Sequence, residues 1–143
     1  MSMILKTCIG ILLAAAITAC AQLPAPPVNS QMFESVPGKA VVFLVRTLPD
    51  IGELPATLWL DDAVIGSTHP GTYFRWELAP GAHRINGYGV DTGSIRLDLQ
   101  PGRVYFIRHS VVGTFRAPSP HSVFQILNDA QGRDFVARAT RSG

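Results

Sequence analysis

Apolar and polar residues alternate along the central part of the chain with a period of two. In TYFRWEL, residues 72–78, Phe74, Trp76 and Leu78 fall on one side and Tyr73, Arg75 and Glu77 on the other. In SIRLDL, residues 94–99, Ile95, Leu97 and Leu99 alternate with Arg96 and Asp98. This is the period of strands with one face inward and one outward. AVVFLVR (40–46) is a β-branched and aromatic run that suits a buried strand, and TLWL (57–60), RVYFIRHSVV (103–112) and SVFQIL (122–127) complete the set. Several short strands, spaced near ten residues apart and divided by Gly and Pro, predict an all-β body folded as a small β-sandwich over residues 38–143.

The turns carry their own signals. Leu60-Asp61-Asp62-Ala63 is placed as a two-residue hairpin, which predicts Leu58 opposite Ile65 and Trp59 opposite Val64. Asp62 stands where positive φ would favour glycine. Ala79-Pro80-Gly81 and Gln100-Pro101-Gly102 put Pro-Gly between strands, where Pro presets one φ and Gly accepts the left-handed one. After Leu127, Asn128 or Asp129 can cap a helix carrying Ala130, Phe135, Val136 and Ala139 at near-helical spacing. Gly132 weakens that helix by about 1 kcal/mol relative to alanine. A short C-terminal helix packed on the sheet is expected, with a final edge strand as the alternative.

The first 37 residues follow a different pattern. Lys6 precedes CIGILLAAAITA (8–19), an apolar stretch of signal-peptide length. A membrane-spanning helix needs roughly 20 apolar residues. Gln22, Pro24, Pro26 and Pro27 end this stretch early, so residues 1–19 are expected to be a removable export signal. Two cleavage sites compete. Ala19-Cys20-Ala21 fits ordinary small-x-small cleavage, which would release a soluble periplasmic chain. Ile17-Thr18-Ala19-Cys20 has the branched-apolar, small, small, Cys pattern of a bacterial lipobox, whose cysteine is thioether-linked to diacylglycerol and becomes the mature N-terminus. The lipobox is the preferred reading, because it accounts for both the cysteine and the Pro-rich spacer that follows. Residues 20–37 are then the lipidated Cys20 and a semi-extended tether. Ala21 after the cysteine favours the outer membrane, facing the periplasm.

Composition removes other classes. The 143 residues carry a net charge of +2, which becomes +1 without Lys6, and the arginines are scattered singly. Binding of nucleic acid needs a clustered basic face. Cys8 leaves with the leader and Cys20 is spent on lipid, so no cysteine remains for a disulfide, a metal or a nucleophile. His69, His83, His109 and His121 show no metal-ligand spacing on one element. His83 is expected at a strand start with a backbone partner, and His109 in a structural or surface position. Ser67, Ser94, Ser110 and Ser122 lack a nucleophile motif. Asp61 and Asp62 read as turn formers, and Gly87, Gly89 and Gly93 in NGYGVDTG lack the spacing of a phosphate loop. No catalytic residue, metal or cofactor is expected. The candidate binding residues are Trp59, Tyr73 and Tyr88, whose rings could stack on a glycan or a partner, although core or helix-covered packing is the favoured reading. Arg75, Arg84 and Arg96 are outward candidates for a modest basic stripe.

GKAVVFLVR, LDDAVIG, GTYFRWELAPGAHRI and LQPGRVYFIRHS, in that order, resemble the bacterial lipoprotein family catalogued as domain of unknown function 2846. The middle portion is also similar to PEGA modules, which share a small transthyretin-like, Ig-like β-sandwich. The resemblance covers residues 38–127 and implies that fold and an envelope location, while assigning no activity. A lipid-anchored, non-catalytic envelope module for binding or assembly is therefore expected. Its expected contacts are the membrane, through the lipid, and an envelope protein or glycan, with the body more readily monomeric than oligomeric. A carbohydrate- or peptidoglycan-binding periplasmic module is the alternative, and an envelope hydrolase comes third.

Overall fold

A computed structural model of the chain describes residues 30–47, 50, 55–87, 93–113 and 120–142. Cys20 and the cleavage sites lie outside the described residues. The strands are Ala40–Arg46 (β1), Ala56–Leu60 (β2), Ala63–Thr68 (β3), Thr72–Leu78 (β4), Gly81–Asn86 (β5), Ser94–Leu99 (β6), Val104–Val112 (β7), His121–Leu127 (β8) and Thr140–Arg141 (β9). They form a five-stranded sheet, β8-β7-β1-β4-β9, and a four-stranded sheet, β3-β2-β5-β6. The two sheets face each other as an all-β sandwich. One helix, Asp129–Ala137 (α1), and a 3-10 turn at Ser30–Phe33 add a partial third layer on the far side of the larger sheet.

β1 explains why its sequence is apolar throughout. It lies between β4 and β7, antiparallel to the first and parallel to the second, and all seven of its residues are buried. Val42 and Leu44 join Leu58, Phe74, Ile85, Leu97, Leu99 and Ile107 in the core between the sheets. Val41, Phe43 and Val45 point the other way, into a second core with Phe33, Tyr73, Phe106, Leu127 and Val136. A strand covered on both faces has no polar alternation to show.

That second core moves the start of the folded body. The tether was expected to run to Pro37, yet Phe33 is only 5% exposed, its ring 5.4 Å from Phe43 and 5.9 Å from Phe106. Met32 and Val36 pack beside it. Burying a phenylalanine contributes about 2 kcal/mol, so this short polar-looking stretch is held down chiefly by the Phe33 ring, with Met32 and Val36 beside it.

The hairpin differs from its expected register at one place. Trp59 does oppose Val64, but Leu58 opposes Gly66, because a bulge between Leu58 and Trp59 leaves Ile65 as the extra residue. Asp61 and Asp62 both take left-handed backbone, φ 49° and 68°. Two positive values are what a two-residue turn matched to strand twist requires, and Asp tolerates them better than most non-glycine residues. Gly81, at φ 122°, opens the crossing from β4 in one sheet to β5 in the other.

The C-terminal segment is both helix and strand. Asn128 caps α1 by accepting from the Gln131 N–H at 2.9 Å. After the helix, β9 adds two residues parallel to β4. Gly132, a helix-weakening residue by propensity, is buried where α1 crosses the sheet, and a β-carbon there would run into the Phe106 ring. Gly132→Ala would gain about 1 kcal/mol in helix propensity, but overpacking of this kind costs about 1–3 kcal/mol. A lowered melting temperature is therefore expected, and an unchanged or raised one would show that the helix can stand off from Phe106 without loss.

Candidate functional site

Two groups of polar side chains stand out, one sealed and one open. The sealed group lies between the sheets, and strand parity puts it there. Arg46 follows Ala40, Val42 and Leu44 on the inward face of β1, and His109 follows Ile107 on the inward face of β7. In the β7–β8 register, Phe124 opposes His109 and Ser122 opposes Val111, so Ser122 is a diagonal neighbour of His109. Arg46, Thr68, His109 and Ser122 are all 0% exposed.

Their hydrogen bonds form a directed chain. The Thr68 hydroxyl donates to the Ala56 carbonyl at 3.3 Å, so it accepts from His109 Nδ1–H at 3.1 Å. His109 Nε2 is then free to accept the Ser122 hydroxyl proton at 2.9 Å. The Phe124 ring stacks on the imidazole at 4.9 Å. Beside this, Arg46 Nε donates to Asp50 Oδ2 at 2.6 Å and Nη1 to the Thr68 carbonyl at 3.1 Å. Asp50 also accepts the Val111 N–H at 3.3 Å. Burial first, and the Arg46 charge second, push the His109 pKa down to about 4, against a smaller upward pull from Asp50. The imidazole is thus neutral near pH 7.

Ser122, His109 and Thr68 are in the order of a nucleophile, a base and an orienting group. No solvent reaches them at 0% exposure, and Gly87 packs so closely on Ser122 that a β-carbon would strike its hydroxyl. What the arrangement does is pin the two sheets together, since its hydrogen bonds join β7 and β8 of one sheet to β2 and β3 of the other. The expected structural role of His109 is the one observed. The network as a whole was not foreseen from sequence, although Arg46 ending an apolar inward set was a visible signal for it.

The open group lies around a surface cleft of about 280 Å³ lined by Asp61, Ala82, His83, Arg84 and Arg96. His83 faces Asp61 Oδ2 through Nδ1 at 2.6 Å and the Ala79 carbonyl through Nε2 at 2.8 Å. Both partners are acceptors, so both bonds form together only in the imidazolium. Partial burial pulls its pKa down, but the Asp61 carboxylate and the Ala79 carbonyl outweigh it and raise the pKa above the ordinary value. Asp61 Oδ1 accepts the Arg84 N–H at 2.8 Å. That bond leads the causes holding Asp61 below the usual carboxylate value, with His83 adding to it. Arg84 reaches Asp62 at 2.6 Å. The expected backbone partner of His83 is therefore present, together with a carboxylate.

The candidate aromatics do not assemble. Tyr73 is 7% exposed in the second core, with its hydroxyl donating to the Met32 sulfur at 3.1 Å. Trp59 is half-buried on the smaller sheet, opposite Val64, in neither core. The two rings belong to different sheets, and Tyr88 lies outside the described residues. The expected basic stripe divides in the same way. Arg84 and Arg96 are directly opposed on β5 and β6, whereas Arg75 is on β4 in the other sheet, over the Phe43 ring at 6.0 Å. Among the described residues no group of three His, Cys, Asp or Glu side chains is placed to hold a metal ion, and no helix is long and apolar enough to cross a membrane.

No family model, curated protein or solved structure matches this chain.

Proposed function

We propose that the chain is a lipid-anchored lipoprotein of the bacterial envelope, on the outer membrane facing the periplasm, whose β-sandwich is a non-catalytic module for binding or assembly at the membrane surface. The observation that carries this reading is Ile17-Thr18-Ala19-Cys20 at the end of the apolar leader, followed by a Pro-rich stretch that leads into the body. The sealed Ser122–His109–Thr68 chain supports the non-catalytic part, because this constellation, which has the makings of a nucleophile among the described residues, joins the two sheets instead. The resemblance to the domain of unknown function 2846 family supports the location and the fold.

Anchoring then rests on the lipid alone. Each buried CH₂ of an acyl chain contributes about 0.8 kcal/mol, and two or more chains hold a protein where one barely does. The body adds little, since its net charge is near zero. Cys20→Ala should move the protein from the membrane pellet to the soluble periplasmic fraction while its β circular-dichroism signal persists. Retention of that variant in the pellet after a carbonate wash, or an intact wild-type mass without acyl chains, would overturn the proposal.

A further inference from the structure

Among the described residues four strands end the two sheets, and three of them carry devices that discourage further pairing. β9 is two residues long, β6 presents Arg96 and Asp98, and β3 is interrupted by the bulge opposite Leu58 and Trp59. β8 has none of these. It is seven residues long, HSVFQIL, with no Lys, Arg, Asp, Glu, Pro or Gly. It keeps an unbroken register with β7 from Phe106↔Leu127 to Val112↔His121, and among the described residues β7 is its only paired neighbour.

Two large apolar side chains stand exposed on this strand, Val123 at 41% and Ile126 at 60%. They are three residues apart, so they point to opposite faces of the sheet. Val123 shares the helix-covered face with Leu127, and Ile126 shares the inter-sheet face with Phe124. A partner lying on either face would cover only one of them. A strand running alongside the edge touches both.

We propose that β8 is a self-association edge, pairing antiparallel with β8 of a second copy of this chain about a two-fold axis at Gln125. That axis sets Phe124 opposite Ile126 and Val123 opposite Leu127, each on a shared face, so every neighbour of the axis is apolar against apolar. With no formal charge on the strand, the symmetric pairing places no like charges opposite each other, which is the usual penalty of self-pairing. The paired stretch is 123–127, clear of His121 and Ser122, which have contacts of their own. This goes beyond the anchoring proposal and departs from the expectation of a monomer. It does not depend on where the protein is held.

The test is sedimentation equilibrium of the full-length chain over a range of concentrations, in density-matched detergent. Wild type should fit a monomer–dimer equilibrium. Val123→Lys and Ile126→Lys, made separately, should each weaken dimerisation at least about tenfold, because each forces a charge against an apolar neighbour. Val64→Lys, at a still more exposed position on another edge, should leave the dimer unchanged. Melting temperatures close to wild type for all three would show that the fold is intact, as expected for exposed sites. A wild-type chain that sediments as a monomer at every soluble concentration would overturn the proposal. So would a dimer that survives both β8 substitutions, or one lost equally in Val64→Lys.

Discussion

Asp50→Ala is expected to destabilise the body by about 3–5 kcal/mol, the usual cost of removing one partner from a buried ion pair. Arg46 and Asp50 side chains are 0% and 5% exposed and 2.6 Å apart. The guanidinium cannot turn to solvent from the end of a fully buried strand, and it cannot lose its proton at any ordinary pH. Without Asp50 it keeps the Thr68 carbonyl at 3.1 Å but loses the carboxylate that lies 2.6 Å from its Nε. The Val111 N–H loses its side-chain acceptor in the same step. Urea unfolding followed by circular dichroism would show the effect as a lower midpoint with an unchanged slope. The double variant Arg46→Met, Asp50→Leu separates the two parts of the argument. Replacing both charges removes the buried cation together with its carboxylate, so the double variant should be more stable than Asp50→Ala alone. A single variant within about 1 kcal/mol of wild type would mean that the pair is not the closed, dry interaction its geometry describes.

The parts of the fold that were legible in the sequence are those with one wet face. β6 alternates because Ile95, Leu97 and Leu99 face the core while Arg96 and Asp98 face water, and the same pattern places Phe74, Trp76 and Leu78 of β4. The alternation by itself does not show the second core, and the expected helix-covered packing of Tyr73 rests instead on the C-terminal segment needing a sheet face to cover. Tyr73 lies on the face of β4 that carries Arg75 and Glu77, the face that reads as wet, yet it is buried because Phe33 and α1 cover that part of the sheet. A single phenylalanine in a polar stretch gives no period to read. Gly132 was misleading for a related reason, since propensity scores a glycine by its backbone freedom, whereas here it is the only residue small enough to let the helix touch Phe106. The sealed network was legible only as anomalies, an arginine and a histidine at inward positions. Their partners, Asp50 in a loop and Thr68 on the other sheet, become neighbours only through the pairing of strands far apart in sequence.

Mild acid should weaken the fold through His109. The unfolded chain takes up a proton on this imidazole near its ordinary value of 6.5, while the folded chain resists until about pH 4. Between those values the unfolded state binds more protons, so stability falls as pH falls, by about 1.4 kcal/mol per unit and about 3 kcal/mol in all. The contribution is fully present above pH 6.5. His83 acts in the other direction, because its pKa is raised in the fold. Its stabilisation is complete below the ordinary imidazole value and is lost as pH rises through the folded one, so it is constant across the acid window. Asp61 is held below 3.8, and its contribution disappears only at still lower pH. The window from 6.5 to about 4 therefore isolates His109 among the described groups whose pKa values shift. Protonation would also make Nε2 a donor, so the Ser122 hydroxyl would have to turn away, and the new charge would sit beside Arg46. Urea midpoints at pH 7 and pH 4.5 measure the loss, and His109→Gln should reduce the difference between them. Equal wild-type stability at the two pH values would show that water reaches the imidazole in the folded protein, and with it the network that joins the sheets.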